Sequence, residues 1–335
     1  MHRYVGSNLM EAGSDTTAVY LQSFISLITA FPDVQERAQK EIDEVIGTSR
    51  SPSFADWDSL PYLQAIVKEI HRFRPLAPQL IPHSTTADEH IGQYILPKGS
   101  MIFVNIWGIN HDPEAFDHPE EFNPERFLHS DLGAREGADC TGRRNDMVFG
   151  SGRRLCPGME FANNSIKINT INMLWAFNFH LAKDATGQPI PIDLNDTTDG
   201  ILLTQKPFRC VIEPRSPRHA EIIRDNYAAA RERLMNFENE LSESERTNEQ
   251  LVRSGHLQAS HVERPVSSSS KLNNYVGHTV NVHYGEHVVQ RYVADALESL
   301  MKGKTFVLQE RDTVGNTLSE QNVPADDFAE MIVRV

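Results

Sequence analysis

Cysteine is scarce in this chain, and its three copies, Cys140, Cys156 and Cys210, are scattered over 335 residues. So few thiols at such spacing exclude a disulfide framework and suit a reducing compartment. Basic charge is short as well: 32 Lys and Arg stand against 46 Asp and Glu, for a formal net charge of −14. Proteins that grip nucleic acid through its phosphates carry the opposite balance, so no nucleic acid is expected as a partner. Long apolar runs are also missing. The longest, near 20–31, is interrupted by Gln22, Ser23, Ser26 and Thr29. It is too short to cross a bilayer, and no segment reads as a membrane span or signal peptide. Mean hydropathy is −0.42, so polar segments dilute a core in a chain long enough for two or three domains.

What the chain does have is the loop Phe149-Gly-Ser-Gly-Arg-Arg-Leu-Cys-Pro-Gly158. It sets one cysteine among glycines, just ahead of a helical pattern. A metal-binding sulfur must be deprotonated, its backbone must bend sharply, and nearby dipoles must hold its charge. Gly152 and Gly158 permit the bend and a close approach to a flat ligand. Pro157 and Gly158 lead into a helix whose N-terminal N–H groups would face the sulfur. Arg154 and Cys156 are two apart, so in an extended loop both would point at one planar, anionic ligand. The plainer alternative is an inert buried thiol, the usual fate of free cysteine.

The run resembles the haem-binding loop of the cytochrome P-450 family, Phe-x-x-Gly-x-Arg-x-Cys-x-Gly, of the fungal eukaryotic type. Phe149, Gly152, Arg154, Cys156 and Gly158 fill its specified positions. The resemblance implies haem b (iron protoporphyrin IX) as cofactor, Cys156 as axial thiolate and Arg154 as partner of a haem propionate. It also implies a mainly α fold with small β-sheets.

Upstream, residues 5–30 read as a buried helix. Within it, Ala12-Gly-Ser-Asp-Thr-Thr17 puts a carboxylate, Asp15, on an otherwise apolar element. Thr16 can bond back to the carbonyl of Ala12, loosening the ladder into a notch with an acid and a hydroxyl. Such a notch suits proton delivery, and the run resembles the family's distal helix motif, which implies Asp15 and Thr16 as catalytic. A satisfied core helix is the alternative reading. Pro32 opens a helix through Ile46, and 53–58 reads as loop. A helix over Pro61–Phe73 ends ahead of Pro75, with Glu69 and Arg72 neighbours on its surface. This looks like the family's Glu-x-x-Arg helix, and Pro124-Glu-Arg-Phe127 resembles its partner, implying a Glu69–Arg72–Arg126 cluster that locks the loop of Cys156. Residues 90–104 read as short strands turning at Pro97–Gly99. His83 stands where family members place a haem-propionate donor; an unremarkable loop histidine is the alternative. Residues 133–145 read as a mobile surface loop. Its Arg143 and Arg144, with Arg153, could form a basic patch for an acidic electron donor, or simply solvated surface. Ala162, Ile166, Met173, Leu174 and Phe177 fall on one helical face, and terminal strands end near 212.

The resemblance covers roughly Tyr4–Pro214, so residues 1–214 are expected to form the C-terminal catalytic portion of the family's fold. The family's anchor, most substrate-facing helices and a tryptophan- and arginine-bearing helix have no counterpart. A fragment, an incomplete gene prediction or a truncated product is therefore expected, with the apolar faces of the first helix and of Ala162–Phe177 exposed or repacked. Residues 215–255 read as a polar amphipathic helix, its seam of Ile223, Tyr227, Ala230, Leu234, Phe237 and Leu241 docked on the body. Residues 256–274 read as a linker. Residues 275–335 read as a small α+β module, weakly similar to a ubiquitin-like β-grasp.

By resemblance, then, the expected activity is a haem-thiolate monooxygenase. It would insert one atom of O2 into a small apolar organic substrate, with electrons from an NADPH-dependent flavoprotein reductase. The family's place is the endoplasmic-reticulum membrane facing the cytosol; without the anchor the chain as given is expected in the cytoplasm. Two alternatives stand beside it: a non-catalytic product or fusion acting as an interaction module, and a haem-thiolate isomerase or dehydratase.

Overall fold

The computed structural model describes residues 2–240, 305–311 and 317–324, with side-chain surroundings described over 12–231. Helix α1 spans His2–Ala30 and α2 spans Pro32–Val45. Phe31, the residue before a proline, leaves helical geometry at φ −120° and ψ 77°, which separates the two. Helix α3, Pro61–Phe73, starts on a proline. The carboxylate of Glu41, reaching over from α2, accepts from the free N–H groups of Tyr62 and Leu63 at 2.8 and 3.0 Å. Residues 53–58, read as loop, are mostly a 3-10 turn, Phe54–Ser59, started by a capping box between Ser53 and Asp56.

Four short strands follow: β1 His83–Ser84, β2 Glu89–Ile91, β3 Tyr94–Leu96 and β4 Met101–Ile102. β1 pairs with β4, and β2 pairs with β3, both antiparallel. The hairpin turns at Gly92, whose φ of +58° suits glycine, while Pro97–Gly99 makes a second turn before β4. Short helices α4, Ile106–Asn110, and α5, Arg126–His129, were not expected from the pattern. Helix α6 spans Met159–Ala176, β5 spans Phe177–Leu181 and β6 spans Cys210–Pro214, paired antiparallel from Phe177↔Pro214 to Leu181↔Cys210. Helix α7 is Pro217–Glu240; β7, Thr305–Arg311, and β8, Thr317–Pro324, form a further antiparallel pair. The chain is thus mainly helical with small antiparallel sheets, as expected. β7 and β8 lie within the stretch read as a small α+β module, whereas the linker at 256–274 and the rest of that module lie outside the described residues. Among the described residues no helix is long and apolar enough to cross a membrane.

The core is built on α6. Its residues from Ser165 to Ala176 are buried all but for Lys167, so it is buried on every side rather than along one face. Phe177 does not belong to that helix; it is extended and begins β5. The stretch Ala18–Ile28 of α1 is likewise buried, except at Gln22. Those two faces, expected to be exposed or repacked, pack on α2, α3 and each other. Exposed apolar side chains sit elsewhere, at Ile81, Met101, Phe103 and Trp107 around β1, β4 and α4.

Two glutamines of α2 replace backbone partners at the α6–β5 junction. Gln35 donates to the carbonyl of Phe179 at 2.9 Å and accepts from its N–H at 2.7 Å. Gln39 donates to the carbonyls of Leu174 and Phe177. Helix α7 docks through its first turns: Ile223 of the expected seam and its neighbour Ile222 are buried, and His219 meets Trp175 edge-on at 4.8 Å, while the surroundings of Leu234, Phe237 and Leu241 lie outside the described residues. Arg215 pairs with Asp43 at 2.6 Å, fastening the chain just ahead of α7 to α2.

Gln35→Leu should leave two buried backbone groups of Phe179 unpaired and cost about 2–4 kcal/mol. Urea unfolding followed by circular dichroism measures this; an unchanged midpoint would contradict the bracing role.

Candidate functional site

The cysteine loop runs from a 3-10 turn at Met147–Phe149 to the start of α6. Gly150 has φ +86° and Gly152 φ +59°, both conformations that a side chain resists. The N–H of Cys156 donates to the carbonyl of Phe149 at 2.9 Å and closes the loop. Gly152–Arg154 forms a 3-10 turn, and extended backbone resumes only at Leu155, φ −52° and ψ 141°, the single residue between Arg154 and Cys156. Gly158 caps α6, and a Cβ added there would lie 3.9 Å from the Cys156 sulfur, which places the thiol beside the helix N-terminus. That end carries the positive pole of the helix. Cys210 is the contrast: burial in β6 pushes its thiol up to about 12, the behaviour of an inert core cysteine.

Arg154 is exposed, and among the described residues its guanidinium has no hydrogen-bond or ion-pair partner. His83, in β1, is exposed and equally free. Space is open at Gly152, where an added Cβ would meet nothing within 4 Å. A free, half-buried thiol, an unpaired cation two residues away and open space at Gly152 fit a flat, anionic macrocycle bound through sulfur. Phe149 is half-buried beneath the loop.

Glu69, Arg72 and Arg126 do form one cluster. Arg72 donates twice to the Glu69 carboxylate, at 2.7 and 2.8 Å, and both side chains are buried. Arg126 reaches the same carboxylate at 3.2 Å, and the N–H of Asn123 reaches it at 2.8 Å. Their other donors bind carbonyls of Asn110, Pro119, Glu121 and Asp117. The cluster therefore grips residues 110–126 directly, and the cysteine loop only at one remove. The link is made by two arginines expected on an open patch. Arg143 is half-buried, bound to the Ile109 carbonyl and to Asp112, both at 2.7 Å. Arg144 donates to the Gly150 carbonyl at 3.2 Å. Arg143 is structural because its guanidinium is consumed; Arg153 stays exposed. Residues 133–145 are tied down too, by Arg135 to Ala115 and Glu114 and by Asn145 to Asp131.

On α1, the Thr16 hydroxyl donates to the Ala12 carbonyl at 2.7 Å, as the sequence suggests. The helix nevertheless runs unbroken through this stretch, without the expected notch, because a back-bonded hydroxyl adds to the ladder rather than replacing a rung. Asp15 is exposed and not buried, since it lies on the side of α1 away from the core.

Sequence reasoning missed His71. Its ring sits on α3 between Tyr20 of α1, 4.8 Å away, and Phe149 of the cysteine loop, 5.8 Å away. Its Nε2 is buried with no partner among the described residues, and burial lowers its pKa from 6.5 to about 4. A cavity of about 30 Å³ lies beside it, bordered by Lys68, Asn110, Arg144 and Val148. No spacing along the chain announces a contact between three separate elements.

Glu69→Gln should cost about 3–5 kcal/mol, because it strands two guanidiniums in the interior; thermal unfolding measures it. His71 sets an acid limit. The unfolded chain takes its proton near pH 6.5 and the folded chain only near 4. Stability is therefore whole above about pH 6.5 and declines toward pH 4 by about 3 kcal/mol. Unfolding midpoints measured across that window should decline less in His71→Phe.

A sequence model of the cytochrome P-450 family matches residues 3–212. A cytochrome P-450 monooxygenase of Armillaria gallica is 46% identical over 233 residues, covering 69% of this chain and 45% of the relative. One of Aspergillus niger is 38% identical over 237 residues, covering 69% and 44%. A zebra fish cytochrome P-450 structure with abiraterone superimposes with TM-score 0.53 at 34% identity, covering 62% of this chain and 46% of that one. The chain thus spans under half the length of these relatives. With the thiol at the head of α6, the buried acid–arginine cluster and a family match over most of its length, the chain belongs to the cytochrome P-450 family.

Proposed function

We propose that this chain carries the thiolate half of a monooxygenase centre, acting on a small apolar organic substrate. The observation that carries the reading is Cys156: a free, half-buried thiol in a glycine-bent loop at the head of α6, two residues from an unpaired Arg154. The monooxygenase names of its fungal relatives support it.

Cys156 would ligate haem b through sulfur, with Arg154 and His83 neutralising its propionates and the Phe149 ring packed behind the ligand. Bound in this way, haem supplies the activation of O2 and the transfer of one oxygen atom to substrate. The protein's own part is positional and protonic. The α6 N-terminus would turn its positive pole toward the ligating sulfur. Asp15, open to solvent, would exchange protons with bulk water, and Thr16, whose hydroxyl donates to the Ala12 carbonyl, keeps its oxygen lone pairs free to accept a hydrogen bond. Electrons come, in this reading, from an NADPH-dependent flavoprotein reductase, and exposed Arg153 beside the loop supplies positive charge for an acidic donor.

The test is spectroscopic. The chain loaded with haem, reduced under carbon monoxide, should show the Soret shift that marks thiolate ligation, and Cys156→Ser should abolish it. A parent chain that shows no such shift, or a serine variant that keeps it, would overturn the reading.

A further inference from the structure

The geometry points to His71 as a positioning residue: its ring is the middle member of an aromatic column, Tyr20–His71–Phe149, that sets the cysteine loop against α1. The inference rests on Cys156 being the axial ligand, and adds a residue that no motif names.

Each end of the column is fixed to something the site needs. Tyr20 is buried, its hydroxyl donates to the Val67 carbonyl at 3.2 Å, and it lies one helical turn beyond Thr16 on the same face of α1. Phe149, at the other end, accepts the Cys156 N–H through its carbonyl at 2.9 Å. A displacement of the Phe149 ring is therefore transmitted to the sulfur through one residue's backbone and one hydrogen bond. Between them, His71 touches Tyr20 at a 41° tilt and Phe149 nearly edge-on at 63°, geometries that aromatic pairs favour. The backbone of α3 holds it from behind, its carbonyl accepting from Asn110 Nδ2 at 3.2 Å.

The imidazole acts here as a flat wedge and not as an acid or base. Its Nε2 has no partner among the described residues, and burial keeps the ring neutral at physiological pH. The neighbouring cavity, about 30 Å³ and bordered by His71 and Val148, leaves the side of the loop ahead of Phe149 lightly packed. Removing the ring would enlarge that space and free Phe149 to fall into it.

His71→Phe keeps a flat ring without the stranded nitrogen; His71→Ala removes the wedge. In the haem-free chain, Ala should raise Cys156 amide exchange and peptide-resolved thiol labelling by about tenfold or more, while α2 amides hold. Phe should stay within about twofold of the parent on both readouts and raise Tm. In the haem-loaded chain, only Ala should lose part of the thiolate Soret shift under carbon monoxide. Should Ala fail to fold, His71→Leu, which fills volume without a flat ring, is read the same way. Parent-like behaviour of Ala or Leu, or damage by Phe equal to theirs, overturns the column. A parent chain that binds no haem yet shows the expected exchange pattern refutes the axial-ligand reading alone.

Discussion

A carboxylate sealed from water is the constraint on which this fold is hung. Glu69 is fully enclosed, and an uncompensated charge there would be intolerable. Two guanidiniums and a backbone N–H satisfy it, and the donors those arginines have left over fasten carbonyls of residues 110–121. An irregular segment with few hydrogen bonds of its own thereby acquires a defined path. The loop of Cys156 is then held against that segment by Arg143 and Arg144, so the sulfur inherits its position from a charge on α3. Replacing such a cluster with apolar groups need not weaken a protein; breaking it by halves does.

The same economy recurs where helices meet strands. Gln35 and Gln39 present amides to backbone groups around the α6–β5 junction, and Glu41 presents its carboxylate to the start of α3. Each is a long polar side chain on an amphipathic helix, turned inward to a place where regular structure stops. Side chains standing in for a missing rung let α6 end and β5 begin without a loop between them, at the point where Trp175 donates to the Gly47 carbonyl.

The legible features were the local ones. Pro32 and Pro61 mark helix starts, Pro75 an end, and the glycines around Cys156 a bend, because each acts through its own backbone. Glu69 and Arg72 were legible as neighbours by spacing, and Arg126 by resemblance. What could not be read were relations between elements: the burial of α6 on all sides, the consumption of Arg143 by Asp112, and the place of His71 between two rings. A lone histidine on a helix looks the same whether it faces water or two aromatic partners. The burial expected around Asp15 went wrong for the same reason, since its side of α1 is decided by what packs there. The turn at Gly152–Arg154 failed more narrowly, because alternation of side chains presumes a strand.

Helix α7 carries a consequence for the rest of the chain. Its docking point, Trp175, lies near the far end of α6 from Cys156, and an 18-residue helix is about 27 Å long. The hold on α7 and the bend that carries the thiol thus sit at opposite ends of one buried helix, so loosening His219 from Trp175 would free α7 and leave the cap at Gly158 in place.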